Sequence, residues 1–204
     1  MRGLEEDTIG GFNSVLAKQK QAREEGADAV VTTVLFDDKY ELLHDRFPLD
    51  SVEEISEKDY WVRGCTALLD AVGRTIKKTE AAQKNLPEGK RADKVLFVIV
   101  TDGLENASRE FSYSDVKKMI EAHEGDGWEF LFLGANIDAA EEAGKIGIRR
   151  SRSARYVPDG QGTEMVYGDI GDVVRCVMSC ECAKEFEIDD DWCADIDEDY
   201  KNRG

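Results

Sequence analysis

Two side chains in this sequence sit where ion chemistry could occur. Asp102 follows an apolar run, Val95 to Val100, in the order Val100-Thr101-Asp102-Gly103. Thr66 lies in Arg63-Gly64-Cys65-Thr66-Ala67-Leu68-Leu69-Asp70, at the mouth of a helical pattern. A carboxylate at a strand end and a hydroxyl at a helix start are hard oxygen donors. Such donors suit Mg²⁺, which keeps part of its hydration shell and prefers octahedral geometry. Each has an ordinary reading on its own: Thr66 as a helix N-cap, Asp102-Gly103 as a turn after a strand. Their joint occurrence, in this order and separated by a helix and a connection, points to one shared rim. Ligands of parallel α/β sheets collect at the carboxyl ends of the strands.

The elements that must position this pair follow from periodicity. Residues 4–25 read as a helix with Ile9, Phe12 and Leu16 on one side, stopped by Gly26. Residues 29–36 form a β-branched run, Asp37-Asp38-Lys39 turns the chain, and residues 40–44 return as a hairpin. Residues 45–62 read as an acidic surface loop. Thr66 opens a helix through about residue 78, with Leu69, Val72 and Ile76 inward; residues 81–93 connect it to the strongest strand, residues 94–101. Ser112 and Asp115 form a capping box ahead of Val116, Met119 and Ile120. Residues 128–133 predict a buried strand, Asp138 with Glu141 a short capped helix ended by Gly147, residues 152–157 an edge strand and residues 163–180 a helix. Strands alternating with helices imply an α/β sheet, mostly parallel, with helices on both faces.

Composition narrows the function. Against 27 Lys and Arg stand 44 Asp and Glu, a formal charge of -17. That charge repels nucleic acid and anionic membranes and favours cations and basic partners. The first residues carry no apolar leader-like stretch, no apolar run reaches membrane length, and five cysteines make an odd number. These features place the protein in a reducing cytoplasm. Residues 183–204 are acidic and predict a loosely held tail after a domain spanning residues 1–182.

Other chemistry is weakly represented. Cys176, Cys180, Cys182 and Cys193 lack the paired knuckles of a zinc site, and the i, i+4 pair Cys176 and Cys180 reads as core-facing thiols. Arg149, Arg150, Arg152 and Arg155 form the basic cluster, read as a solvated face, with docking of an anion or of the acidic tail as the sharper alternative. The two histidines, His44 and His123, have no evident nucleophile partner. Gly10-Gly11 lies in a helical pattern, where packing is the simpler explanation.

The two loops together carry a resemblance. Gly64-Cys65-Thr66-Ala67-Leu68 resembles the Gly-x-Thr-x-Leu loop of the von Willebrand factor type A domain. Val98-Ile99-Val100-Thr101-Asp102-Gly103, with Asn106 following, resembles that family's third metal loop. The hairpin at residues 33–43 and the helix around Ile9, Phe12 and Asn13 fit the same layout, so the similarity covers roughly residues 1–180. The resemblance implies a doubly wound, Rossmann-like α/β fold and a metal-dependent adhesion site. Thr66 and Asp102 would hold Mg²⁺ or Mn²⁺, and a partner protein's carboxylate would complete the coordination. It implies a protein-binding module rather than an enzyme, and for cytosolic members partners such as AAA+ ATPases or other assembly machinery. One departure is plain: the family's first strand and its Asp-x-Ser-x-Ser loop belong immediately before the first helix, where Met1-Arg2-Gly3-Leu4 stands. Met1 is therefore expected to be an internal methionine of a longer reading frame, the alternative being a truncated chain in which another segment fills that place. Metal affinity without the Asp-x-Ser-x-Ser loop is expected to be low. The alternatives are a Mg-dependent phosphohydrolase using Asp102, and a degenerate, metal-free scaffold.

Overall fold

The computed structural model describes residues 3–22, 28–62, 64–180 and 187–204. The expected helix stop at Gly26, Arg63 of the first loop, and Cys182 lie outside the described residues. In chain order the elements are α1 (Glu5–Ala22), β1 (Val30–Phe36), β2 (Tyr40–Pro48), α2 (Leu68–Asn85), β3 (Val95–Thr101) and α3 (Tyr113–Gly125). There follow β4 (Trp128–Ala135), α4 (Ala139–Lys145), β5 (Ser153–Tyr156), α5 (Gly160–Ser179) and α6 (Ala194–Arg203).

β3, β4 and β5 form a parallel sheet with β4 at its centre; Val95 pairs with Trp128 at one end and Thr101 with Gly134 at the other. Alternation along β4 divides its side chains between two layers. Phe130 and Phe132 face Leu69, Val72 and Ile76 of α2, Val116 and Ile120 of α3, and Ala139 and Ala143 of α4. Leu131, Leu133 and Ala135 face Val166, Ile170 and Val173 of α5. Burying each phenylalanine contributes roughly 2–3 kcal/mol, so β4 anchors both layers.

β1 and β2 pair with each other, antiparallel, and with no other strand among the described residues. The single sheet expected from alternation is therefore divided in two. α1 holds the hairpin: Phe12 and Leu16 pack with Val31, Leu49 and Val52. Asn13 accepts from the Ile55 N–H and donates to the Ile55 carbonyl, both at 2.9 Å. The acidic stretch read as surface loop thus carries buried Leu49, Val52 and Ile55. A Cβ on Gly11 would stand 2.2 Å from the Tyr167 ring, so α1 and α5 approach as closely as they do because position 11 has no side chain.

Residues 187–204 pack, although their composition suggests a loose tail. Ile188, Cys193 and Ile196 are buried against β5 and α5, and these three apolar side chains supply the docking face. The basic cluster divides. Arg152, expected on a solvated face, is 0% exposed and donates to Glu129, Asp190 and the Ile188 carbonyl. Arg155 stacks on Tyr200 of α6. Cys176, expected to face the core, is exposed, because the buried stripe of α5 runs through Val166, Ile170 and Val173.

Asp169 sits where α5 meets the start of α6, with one carboxylate oxygen buried and unpaired. Burial, then the neighbouring Asp195 and Asp172 carboxylates, push its carboxyl up to about 6. A raised folded-state value means a penalty absent below the unfolded value and fully developed above pH 6. Asp169→Asn is therefore expected to raise Tm at pH 7.5 by about 2–4 °C, from about 1 kcal/mol after discounting for partial exposure, and to leave it unchanged near pH 4. Thermal melts at both pH values check this.

Candidate functional site

The rim at the carboxyl ends of β1 and β3 is built by loops tied across the chain. The Ala67 N–H donates to the Asp37 carbonyl at 2.6 Å, fixing the end of β1 to the start of α2. Thr66 donates its N–H to the Asn106 side chain at 2.9 Å and accepts from the Asn106 N–H at 3.0 Å. This two-way clasp holds the Thr66 loop against the loop after β3. The Thr101 hydroxyl in turn donates to the Gly103 carbonyl at 3.1 Å, closing the turn that carries Asp102.

Thr66 is not the cap of the helix it precedes. α2 begins at Leu68, with Ala67 at the cap position and no capping side-chain bond. Its free N–H groups are taken by the 103–111 loop instead: Leu69 donates to Glu105 at 2.9 Å and Asp70 to the Ser108 hydroxyl at 3.0 Å. Glu105 also accepts from the Ala107 and Ser108 N–H groups, at 2.9 and 2.7 Å, and from the Ser108 hydroxyl at 2.7 Å. The Thr66 hydroxyl is left for the rim. It stands 2.9 Å from where a Cβ on Gly103 would be, next to Asp102 in the chain, so a side chain at 103 would displace it. Thr66 and Asp102 thus belong to loops in contact on one rim.

Asp70 pins the far end of the same loop. Its carboxylate accepts from the Arg109, Glu110 and Phe111 N–H groups at 3.0, 2.9 and 3.0 Å. Burial opposes its ionisation, but the three N–H bonds outweigh that and hold the carboxyl below its ordinary value. Glu105, Ser108 and Asp70 were not singled out as site-forming from sequence. An acid facing a helix N-terminus is a favourable pairing, yet nothing local ties Glu105 to a helix start 36 residues away.

A hydroxyl and a carboxylate fit the hard-oxygen preference of Mg²⁺ or Mn²⁺ but supply few ligands. Among the described residues no group of three or more His, Cys, Asp or Glu is placed to hold a metal. Leu104, two residues beyond Asp102, is 53% exposed and adds an apolar contact beside the rim. The histidines serve packing: His44 stacks on Phe12, and His123 lies 4.0 Å, centroid to centroid, from Trp128.

Together these features define an α/β protein whose three-stranded parallel sheet is flanked by helices and whose carboxyl rim is a clasped pair of loops. No family model, curated protein or solved structure matches the chain. Among the described residues no helix is long and apolar enough to cross a membrane.

Proposed function

We propose that this chain is a cytoplasmic, non-enzymatic protein-binding module of the von Willebrand factor A type. Thr66 and Asp102 hold Mg²⁺ or Mn²⁺ weakly, and an acidic residue of the partner supplies the missing coordination. The observation that carries this reading is the Thr66 hydroxyl, released from capping and lying over Gly103 beside Asp102. The clasp through Asn106 supports it by keeping the two loops in register before any ion arrives. The exposed Leu104 favours a protein surface as the partner, and an AAA+ ATPase or another assembly complex is the partner class we put forward.

A cation bound by one carboxylate, one hydroxyl and waters is held loosely, because hard-ion affinity rises with the number of charged ligands. Partner and metal then bind cooperatively, each raising the affinity for the other. Capture of a partner from extract in Mg²⁺ is expected to be lost in chelator and to fall about tenfold, about 1.4 kcal/mol, in Thr66→Ala. The phosphohydrolase reading requires turnover of a phosphate ester that Asp102→Ala abolishes. Capture that survives both chelator and Thr66→Ala would leave only a metal-free scaffold.

A further inference from the structure

The β1–β2 turn and the first turns of α2 border an open cavity of about 210 Å³, solvent at its mouth included. Asp38, Lys39 and Tyr40 line one side, and Ala67, Asp70 and Arg74 the other. Ala67 follows Thr66 in the chain, so the cavity adjoins the rim.

Its walls are tied together within the chain. The Lys39 N–H donates to Asp37 Oδ1 at 2.7 Å, and the Asp37 N–H donates to the Lys39 carbonyl at 3.1 Å. The Asp37 carbonyl accepts from Ala67, which joins this turn to α2. The Arg74 guanidinium lies 5.9 Å from the centre of the Tyr40 ring, and its Nε donates to Glu110 at 2.7 Å. The Thr75 hydroxyl holds Tyr40 by donating to its oxygen at 3.2 Å.

Hydrogen-bonding capacity around the cavity is unevenly spent. The Asp70 carboxylate is engaged by the N–H groups of Arg109, Glu110 and Phe111. Among the described residues Lys39 Nζ has no carboxylate partner, and the Arg74 Nη groups make no hydrogen bond. Two cations with donors to spare therefore border one small space, in a chain whose formal charge is -17. Asp38, exposed at the mouth, is the acid that offsets them.

We propose that this cavity takes a carboxylate side chain from a partner segment of the form Asp-x-Glu, held between Lys39 and Arg74. The two Nη groups of an arginine can grip a carboxylate together, and a lysine adds a point charge. Spacing sets the form of the segment. In an extended chain, residues i and i+2 share one side, roughly 6–7 Å apart. One residue step, about 3.8 Å between Cα atoms, separates Thr66 from the cavity wall, and the cavity extends beyond it. The first acid thus reaches Thr66 and Asp102 while the second enters the cavity. The first contact rests on the ion site proposed above; the second needs no metal.

The probe is the labelled peptide Gly-Gly-Asp-Ala-Glu-Gly-Gly, titrated against the full chain in Mn²⁺ and again in chelator. Lys39→Gln combined with Arg74→Gln is expected to weaken binding about fivefold in both conditions, the size of two exposed charge pairs. Thermal melts should stay close to wild type, because Lys39 is exposed and the Arg74 side chain is 45% exposed. Asp38→Asn removes the competing acid and is expected to tighten binding about twofold. A peptide with Gln in place of Glu should lose the same factor and bind the double variant and wild type equally. Equal binding of the original peptide to both proteins overturns the proposal, whatever the metal does. A loss in the double variant that persists while chelator changes nothing keeps the cavity and removes the ion. Absence of saturable wild-type binding at millimolar peptide overturns both.

Discussion

Replacing Arg152 with alanine is expected to lower Tm by roughly 6–12 °C, corresponding to about 3 kcal/mol in a chain of this size. The guanidinium is 0% exposed and its donors are distributed widely: Nε to Glu129 at 3.2 Å, Nη1 to Asp190 at 2.8 Å, Nη2 to the Ile188 carbonyl at 2.6 Å. Alanine leaves the Glu129 carboxylate, 17% exposed, without its cation, together with a carbonyl and an empty volume. Asp190, 74% exposed, returns to water and adds little. The loss should concentrate at the tail, because Ile188 and Asp190 lead into α6. Limited proteolysis within residues 187–199 is therefore expected to accelerate well before global unfolding. Arg152→Lys should fall between the two, since a point charge cannot serve three acceptors in a planar fork. A drop below about 1 kcal/mol with unchanged proteolysis would mean that Ile188 and Ile196 hold the tail by themselves.

That arginine also marks where sequence reading stops. Strands β3 and β4 were legible because unbroken apolar runs bounded by turns can be little else, and the Ser112–Asp115 capping box forms as written. Asp138 likewise accepts from the Glu141 N–H at 3.0 Å. Such signals are local. Arg152 looked like one of four surface arginines because its partners Glu129 and Asp190 lie 23 and 38 residues away. Cys176 failed for a smaller reason, a helical phase set by Val166, Ile170 and Val173 that excludes it.

The rim was legible in part. The order of Thr66 and Asp102 suggested a shared edge, and the two loops do touch. The sequence could not show that Thr66 is relieved of capping, because the groups that relieve it come from the 103–111 loop. Nor could the division of the strands into two sheets be read from alternation. Periodicity reports which residues form a strand and which faces are apolar, but not whether a neighbouring strand occupies each edge.

The second large effect follows from that loop. Asp70→Ala is expected to remove about 3 kcal/mol at pH 7, because three N–H groups lose a carboxylate and the Phe111 N–H is buried. Asp70→Asn keeps an acceptor and should lose roughly half as much. The pH dependence identifies the cause. A carboxyl held below its ordinary value stabilises the fold fully above the unfolded value and loses that effect as pH falls through the folded value. The gap in Tm between wild type and Asp70→Asn should therefore be constant from pH 7 to about pH 4 and close below it. A gap that persisted unchanged to pH 2 would show that shape, not charge, was holding the loop. Both substitutions act at one end of a segment whose other end carries Glu105 and Asn106. On the proposed metal-binding reading, Mn²⁺ binding should weaken in either variant, although Thr66 and Asp102 are untouched, because an ion would then have to order a loop that Asp70 had already fixed.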